Sequence, residues 1–573
     1  MNMINNKYRK QGVKAVKLLL CAAFFILHSS LFISCDEYLD KLPDDRATVD
    51  TPEKVTKLVA SAYPVASTIL VSEMTADNVT DNGTQYGTLP HVDDMYRFKE
   101  VSSDDNDSPR NLWDNYYEAV ATANEALQAI RDLGSPAELN AQRGEAMLCR
   151  AFGMFQMATV FCMAYDPSKA DEYLGLPYPL EPEQSVETQY VRGTLKGLYQ
   201  HINDDIEEAL PLINDAIYSV PKYHFNQRAA YAFAARFNLY YQQWDKVIEY
   251  ATKALGAVPV DFLRVRAPYS TAAGFDDYFN MYIQSSQACN FMMAPAYSIA
   301  ARVLTGGYLR YAHNMTILGN ETYWAYSPWN PTIDTSRNSL LWTAHSLYGN
   351  NNIVMEPKID EVFEYTDKVN GIGYVHIVDP IFTGDETILC RAEAYAMKGD
   401  FAKALADMNT WCSTNLEDRY GSSTRSELTQ ESVNTFMESI EYSPVHIDDD
   451  IQRTIKKTLH PQGFTVSSGD QENLIQLILY MRRVTTIFQG LRFMDVKRYG
   501  IEYEHIVDKE NPIKFSAGDL RGAIQLPTDV VAAGLERNPR IGDEEAAPQG
   551  GEAQIQPIDT QTETERIILP KIQ

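Results

Sequence analysis

The 573-residue sequence lacks the short motifs that mark the commonest enzyme sites. It contains no H-E-x-x-H, no G-x-S-x-G, no Walker-type G-x-x-x-x-G-K-S/T and no G-x-G-x-x-G. Its seven cysteines include no C-x-x-C pair, which excludes a structural zinc site of that kind. We therefore predict that the protein is not an enzyme and that it needs no cofactor.

Basic residues are also scarce. The chain has 50 lysines and arginines against 77 acidic residues, giving a formal charge of −27, and no run of five or more cations. This balance argues against a nucleic-acid partner and against electrostatic attachment to an anionic bilayer. Hydrophobic residues make up 45% of the chain, which is enough to build a large core.

No apolar run is long enough to span a membrane. Residues 1–17 carry five cations and no acid, and the apolar stretch 18–27 follows them. A spanning helix needs about 20 apolar residues, so this pattern favours a secretory signal over residues 1–34. A buried N-terminal helix is the alternative, but five cations would then crowd a core segment.

The end of this segment carries a candidate lipid site. Residues 31–35 (LFISC) resemble a bacterial lipobox, in which Cys35 becomes the acylated first residue, and Asp36 and Glu37 resemble an export signal of surface lipoproteins. Acyl chains on Cys35 would hold an acidic protein at a membrane that its charge does not favour. An ordinary thiol is the alternative.

Helical periodicity dominates the remaining sequence. It is clear over residues 112–130 and 194–213, and residues 143–164 are apolar nearly all round, which predicts a buried helix. Residues 235–251 and 392–408 align when shifted by 157 positions, with Gly399 at the break of the second segment. The pattern is typical of a tetratricopeptide-like helix, turn and helix. A generic helical hairpin is the alternative.

Two long irregular segments interrupt the helices, at residues 72–109 and 313–352. Such segments are usually functional in compact proteins. The second holds three tryptophans within 19 residues, and flat rings can stack on sugars. We therefore predict a ligand surface at Trp324, Tyr326, Trp329 and Trp342. The alternative is that these rings pin the loop to the body of the protein.

Segment 72–109 is the second candidate surface. Its candidate ligand-binding residues are Asp77, Asn78, Tyr86 and Tyr96, although Asp and Asn are also common in turns. The acidic runs 104–107 and 448–450 could hold Ca²⁺, but neither has EF-hand spacing. A solvated acidic loop is therefore the preferred interpretation of both runs, and no metal site is assigned.

Several stretches together resemble the SusD/RagB family of Bacteroidetes outer-membrane lipoproteins. In chain order they are residues 35–40 (CDEYLD), Trp113 with Tyr117 and residues 123–124 (AN), 150–152 (RAF), 389–394 (LCRAEA), 490–500 (GLRFMDVKRYG) and 524–539 (IQLPTDVVAAGLERNP). One departure is that Met481, Thr485 and Gln489 stand where the family usually has glutamates. Arg482, Arg483, Arg492 and Arg498 are expected to hold the fold by binding backbone or the remaining acids.

The resemblance implies a mainly α protein. It would have a tetratricopeptide-like scaffold and a loop-rich ligand-facing part, divided into an N-terminal region at 35–285 and a C-terminal region at 286–573 that includes the hairpin 388–412. It also implies a lipid-anchored, surface-exposed partner of a TonB-dependent (SusC-like) outer-membrane transporter that captures oligosaccharide. Receptors for peptide or another nutrient, a helical scaffold without a ligand, and a glycoside hydrolase remain alternatives.

Overall fold

A computed structural model of the chain describes residues 49–183, 190–329, 341, 346–348, 353–417, 419–420, 423–446, 453–508 and 510–541. The chain divides into two compact units, Met1–Asp50 and Thr51–Gln573. All the helices and strands named below lie in the second unit.

The described residues are mainly helical, as the sequence predicted. In chain order the helices are α1 (Pro52–Ala60), α2 (Ile69–Met74), α3 (Pro90–Tyr96), α4 (Pro109–Asp132), α5 (Asn140–Phe161), α6 (Leu195–Ala209), α7 (Gln227–Tyr240), α8 (Trp244–Leu255), α9 (Phe275–Tyr282), α10 (Ala300–Leu304), α11 (Met315–Glu321), α12 (Gly384–Met397), α13 (Phe401–Asn415), α14 (Gln430–Glu438), α15 (Asp470–Thr486), α16 (Arg492–Tyr499) and α17 (Thr528–Ala532). Short 3₁₀ turns connect several of them, such as Pro221–Tyr223 and Leu520–Gly522.

The start of α4 illustrates how the sequence sets these boundaries. The Ser108 side chain accepts a hydrogen bond from the backbone N–H of Asn111, and Pro109 occupies the first turn, where its missing N–H costs nothing. The next helix, α5, is buried on nearly every face, which confirms the prediction made from its apolar sequence. It packs between α4 and α6.

Two helical hairpins confirm the tetratricopeptide-like pattern. Helices α7 and α8 are joined by three residues, and so are α12 and α13, and the two hairpins pack on each other through α8 and α12. Helix α12 also packs on α15, which in turn contacts α14. The two hairpins, α14 and α15 therefore form one connected set of packed helices.

Within the described ranges, the strands form five small antiparallel sheets. They are β1 (Thr80–Asp81), β2 (Asn290–Ala296), β3 (Tyr311–Ala312), β4 (Ser346–Tyr348), β5 (Ile353–Met355), β6 (Val362–Asp367), β7 (Ile372–Thr383), β8 (Arg419–Tyr420), β9 (Ser423–Thr424), β10 (Tyr503–His505) and β11 (Ile513–Phe515). The sheet with three strands has the order β2-β7-β6, and the others are the pairs β1-β3, β4-β5, β8-β9 and β10-β11.

Candidate functional site

The two irregular segments predicted as ligand surfaces lie against each other. Strand β1 of the first pairs with β3, which immediately precedes the second, so that Thr80 lies opposite Ala312 and Asp81 opposite Tyr311. The guanidinium of Arg310 donates two hydrogen bonds to Asp81, at 3.0 and 2.8 Å, across 229 residues of sequence. The fold therefore joins both segments into one region, which we call the loop junction.

Asn78 and His313 fasten this junction from inside. One ring nitrogen of His313, Nδ1, lies 2.8 Å from the carbonyl oxygen of Asn78, and the other, Nε2, lies 2.9 Å from the Thr322 hydroxyl. The Asn78 amide donates to Glu73 at 3.0 Å and accepts from Arg483 at 2.9 Å. Asn78 is fully buried, so its polar atoms bond the protein itself.

Tyr96 belongs to a buried column of rings. It stacks on Tyr311 and on His505, with ring centroids 4.1 Å apart in each case. Its hydroxyl donates to the carbonyl oxygen of Ile506 at 2.8 Å. Offset stacking of this kind contributes to stability beyond the area that it buries, and it fixes the segment that follows β1.

The aromatic segment divides into buried and partly exposed rings. Trp329 is buried, and its ring lies 6.0 Å from Trp411 and 5.7 Å from Tyr480. Trp324 and Tyr326 are half-buried, as is Tyr86, which packs against the core cluster of Leu309, Ala312 and Ile353. Cys35 and Trp342 lie outside the described residues.

Asp77 lies in a buried ion network beneath the junction. Its carboxylate accepts hydrogen bonds from Arg492 at 2.7 and 2.9 Å, and Arg483 lies 3.5 Å away. Burial alone would raise the pKa of Asp77, but Arg483 and Arg492 together hold it well below the usual range. Asp77 is therefore a permanent anion at this site.

Glu321 is the second anion of this network. It accepts from Arg453 at 2.8 Å, from Lys457 at 2.6 Å and from Arg483 at 2.8 Å. Burial would raise the pKa of its carboxyl, but the three cations hold it well below the usual range. Burial in turn lowers the pKa of Lys457 to about 8, against the opposing effect of Glu321. Arg483 thus links the two carboxylates of the network.

A cavity of about 140 Å³ opens beside these ion pairs. It is lined by both buried carboxylates, by Arg453 and Lys457, and by the residues Ser443, Pro444, Val445, Thr458, His460, Glu502 and Tyr503. The cavity therefore lies where the two candidate segments meet residues 443–445, residues 453–460 and strand β10. We call it the junction cavity.

Metal and membrane features are absent from the part of the chain that the structure describes. No group of three or more His, Cys, Asp or Glu side chains there could hold a metal ion. No helix there is long and apolar enough to cross a bilayer. The acidic run 448–450 lies outside the described residues, and so does the predicted signal segment.

A protein-family model matches the N-terminal part of the chain. Residues 37–239 match a SusD-like family model described as "Starch-binding associating with outer membrane". A comparison of the sequence with curated proteins returned no significant match.

Solved structures extend this similarity over most of the chain. A putative sugar binding protein from Bacteroides vulgatus ATCC 8482 superposes with a TM-score of 0.56 at 15% identity, covering 86% of this chain and 99% of that one. A SusD superfamily protein from the same strain gives 0.55 at 18% identity, covering 85% and 97%. A SusD superfamily protein from Bacteroides thetaiotaomicron VPI-5482 gives 0.54 at 19%, covering 85% and 98%. At such low identities the superpositions establish the fold. The chain therefore shares the fold of these solved structures, and its residues 37–239 match the SusD-like family model.

The arginines of α15 and α16 bind acidic side chains in the core, as expected from the sequence. Arg482 bonds Asp495 at 3.0 Å, and Arg498 bonds Glu393 at 2.8 Å and Asp495 at 2.6 Å. All four side chains are at most 1% exposed. Of the neutral positions on α15, Met481 is buried in the core, and Thr485 accepts a hydrogen bond from the indole of Trp411 at 3.0 Å.

Sequence reasoning missed one exposed aromatic feature of this chain. Strands β6 and β7 form a hairpin that carries Phe363 and Tyr365. Their ring centroids lie 4.7 Å apart, and the two side chains are 45% and 53% exposed. Val369 in its turn is 94% exposed. Alternation of side chains over residues 362–367 was the available signal, because residues two apart share a strand face.

Proposed function

We propose that this SusD-like protein is a lipid-anchored receptor on the surface of the outer membrane. It captures oligosaccharide and passes it to a TonB-dependent transporter. The match of residues 37–239 to a family described as starch-binding and outer-membrane associated carries the proposal. The related structure from Bacteroides vulgatus named as a putative sugar binding protein supports the same ligand class.

The loop junction is the proposed ligand surface. Tyr86, Trp324 and Tyr326 are its partly exposed rings, and Thr84 and Gln85 are exposed polar neighbours. Rings offer apolar faces to the C–H faces of a sugar, while hydroxyl and amide groups take its hydroxyls. The pairing of β1 with β3 preorganises this surface, which reduces the entropy that is lost when a ligand binds.

The ionised state of Asp77 and Glu321, the two carboxylates beneath the loop junction, agrees with binding without catalysis. A glycosidase needs a proton-donating acid and a second carboxylate about 5–10 Å apart across a cleft. Asp77 and Glu321 are both held as anions by arginines, with pKa values well below the usual range. Neither of these two groups can supply a proton near neutral pH.

Titration calorimetry with a panel of neutral and acidic oligosaccharides tests the ligand class. We expect the intact protein to bind at least one of them, and we expect Trp324→Ala and Tyr326→Ala to weaken that binding. Tyr365→Ala removes an exposed ring from the β6–β7 hairpin and is the matched control. Binding of peptides with no binding of any oligosaccharide would favour the peptide receptor instead.

Transfer to a transporter is tested by purification from detergent-solubilised outer membranes. We expect the acylated protein to co-purify with a large β-barrel protein and to release its oligosaccharide more slowly when the barrel is removed. Co-purification with the barrel, but without any ligand binding, would leave only the scaffold function.

A further inference from the structure

The ion network beneath the loop junction carries more positive than negative charge. Among the described residues, its cations are Arg453, Lys457, Arg483 and Arg492, whereas its carboxylates are Asp77 and Glu321. Glu502 also lines the cavity, and its partner Lys514, 3.1 Å away, lies outside the lining; counted as a pair, they leave this difference unchanged. Four cations thus face two anions in this network.

The neighbouring network at Arg482 and Arg498 is balanced. There, Arg236, Arg482 and Arg498 contact Glu386, Glu393 and Asp495. Three cations meet three anions, as expected for buried groups that only stabilise the fold. The excess of positive charge beneath the loop junction is therefore not shared by this neighbouring network.

Glu73 lies next to the unbalanced network and could in principle reduce its charge. It accepts hydrogen bonds from the Asn78 amide and from the backbone N–H of Gly490, both at 3.0 Å. Burial raises the pKa of this carboxyl to about 7, so it is only partly ionised near neutral pH. Even a fully ionised Glu73 would leave one positive charge in excess.

Hydrogen-bond donors of this network reach the junction cavity. Arg453 uses one terminal nitrogen to bind Glu321, and within the described residues its Nε and second terminal nitrogen have no hydrogen-bond partner. Lys457 donates to Glu321 at 2.6 Å and to Ser443 at 3.0 Å, which leaves one of its three protons. Thr458 and His460 line the cavity with exposed side chains.

We propose that the junction cavity binds the anionic group of an acidic saccharide, either a carboxylate or a sulfate. This inference rests on the proposed function and narrows its ligand class. The planar guanidinium of Arg453 matches the paired oxygens of such a group, and Lys457 adds a second charge. A cavity of about 150 Å³ can hold a benzene molecule, so 140 Å³ has room for a carboxylate or sulfate group, which is smaller.

Because the whole chain carries a charge of −27, the excess of positive charge at the junction cavity distinguishes this site from the rest of the protein. A strongly acidic protein repels anions over most of its surface, so an acidic ligand is attracted only where the local field is reversed. The Arg453 and Lys457 side chains are 13% and 12% exposed, so water screens their field less than it does at the surface.

Thermal unfolding of the full protein tests the site with sodium glucuronate, sodium glucose 6-sulfate, glucose, and sodium chloride at matched ionic strength. We expect glucuronate, the sugar sulfate or both to raise the midpoint well above chloride, and glucose to have no such effect at the same concentration. The anion that acts tells carboxylate from sulfate. If neither exceeds chloride, the proposal is overturned.

Two variants locate the effect in the cavity. Arg453→Gln should weaken the active anion about tenfold or more, because it removes a charge-assisted bond while Glu321 keeps Lys457 and Arg483. Thr458→Glu places a negative charge at an exposed position of the lining without touching the network, and it should abolish the effect. Arg302→Gln is the matched control, since it breaks a more exposed Arg–Glu pair at 3.0 Å.

Equal loss in Arg302→Gln, or full retention in Thr458→Glu, would overturn the cavity assignment. The result is also separable from the proposed function. Neutral oligosaccharides that bind through Trp324, with no anion effect, would remove this inference and leave the receptor intact. An anion effect that depends on Arg453, without any oligosaccharide binding, would support the site and contradict the receptor.

Discussion

Gln242 and Gly399 adopt the same left-handed backbone conformation, with φ of +63° and +79°, at equivalent points of two helical hairpins. Glycine takes this conformation without steric cost, whereas glutamine does not. The Gln242 side chain offsets the cost, because its amide donates to the carbonyl oxygens of Tyr165 at 2.6 Å and Gln462 at 2.9 Å. The same turn is therefore formed by glycine in one hairpin and by a hydrogen-bonded glutamine in the other.

Gly399→Ala should lower the free energy of unfolding by about 1–2 kcal/mol. A methyl group at Gly399 would meet no atom within 4 Å, so the whole effect comes from backbone strain. Gly274→Ala is the control, because that position is equally open but has extended backbone with φ of 176°. Urea denaturation of both variants measures the difference, and equal stability would contradict the strain argument.

Asp77→Asn should destabilise the protein by about 3–5 kcal/mol, because it leaves Arg483 and Arg492 buried with one carboxylate fewer. Asp245→Asn breaks an ion pair with Lys398 whose aspartate is 83% exposed, and it should cost less than about 1 kcal/mol. Chemical denaturation distinguishes the two. A small effect at Asp77 would mean that the network contributes little to stability.

The stability of the protein should depend on pH through Asp107. Burial raises the pKa of this carboxyl from 3.8 to about 7. Between these values the folded state keeps a proton that the unfolded chain has released, so stability falls as pH rises, by up to about 1.4 kcal/mol per pH unit. The loss is absent below about pH 4 and complete above pH 7.

Asp107→Asn removes this titration, and asparagine tolerates the φ of +65° at that position. The variant should gain stability relative to the native chain as pH rises from 5 to 8. Asp104→Asn removes a charge from an exposed position of the same loop and is the matched control. A difference from the native chain that is constant with pH would refute the assignment to Asp107.

The two described tryptophans of the aromatic segment should respond differently to truncation. Trp329→Ala removes a buried ring packed on Trp411 and Tyr480, and it should cost about 3–5 kcal/mol of stability. Trp324→Ala should weaken oligosaccharide binding about tenfold while costing less stability, because this ring is only half-buried. Calorimetric binding and unfolding data on each variant would show whether the roles separate.

Cys35→Ala should abolish membrane attachment without affecting the fold. The variant should appear in the soluble fraction with the same far-UV circular dichroism and the same unfolding midpoint as the processed protein. Membrane fractionation of cells that make each form measures the change. Protein that stays membrane-bound after the substitution would refute acylation at Cys35 as the anchor.

The helical scaffold was predictable because its signals are local. Apolar residues recur at helical spacing in α5 and in the equivalent hairpins α7–α8 and α12–α13. A capping residue such as Ser108 marks the start of a helix, here α4. The arginines on α15 and α16 were also expected to pair with acids. Asp495 is a partner close in sequence, whereas Asp77 and Glu393 lie far away in sequence and have no local signal.

The candidate site was predictable only as two separate segments. Their union depends on the pairing of β1 with β3, which two residues on each strand make and which no periodicity reveals. Aspartate, asparagine and tyrosine look the same in a sequence whether they face a ligand or the core. In the structure, buried contacts hold Asp77, Asn78 and Tyr96, whereas partial exposure remains at Tyr86, Trp324 and Tyr326. The sequence did not distinguish these two groups.

The bonds from Arg492 to Asp77 and from Arg483 to Asn78 span 415 and 405 residues of the chain. Contacts of such long sequence separation form late, because a large loop must close before they contribute. Residues 37–239, which the family model matches, bury Asp77 only after α15 and α16 have been delivered to it. That stretch alone therefore lacks the arginine partners of Asp77 and Asn78, and the protein completes this part of its interior only once nearly the entire polypeptide is present.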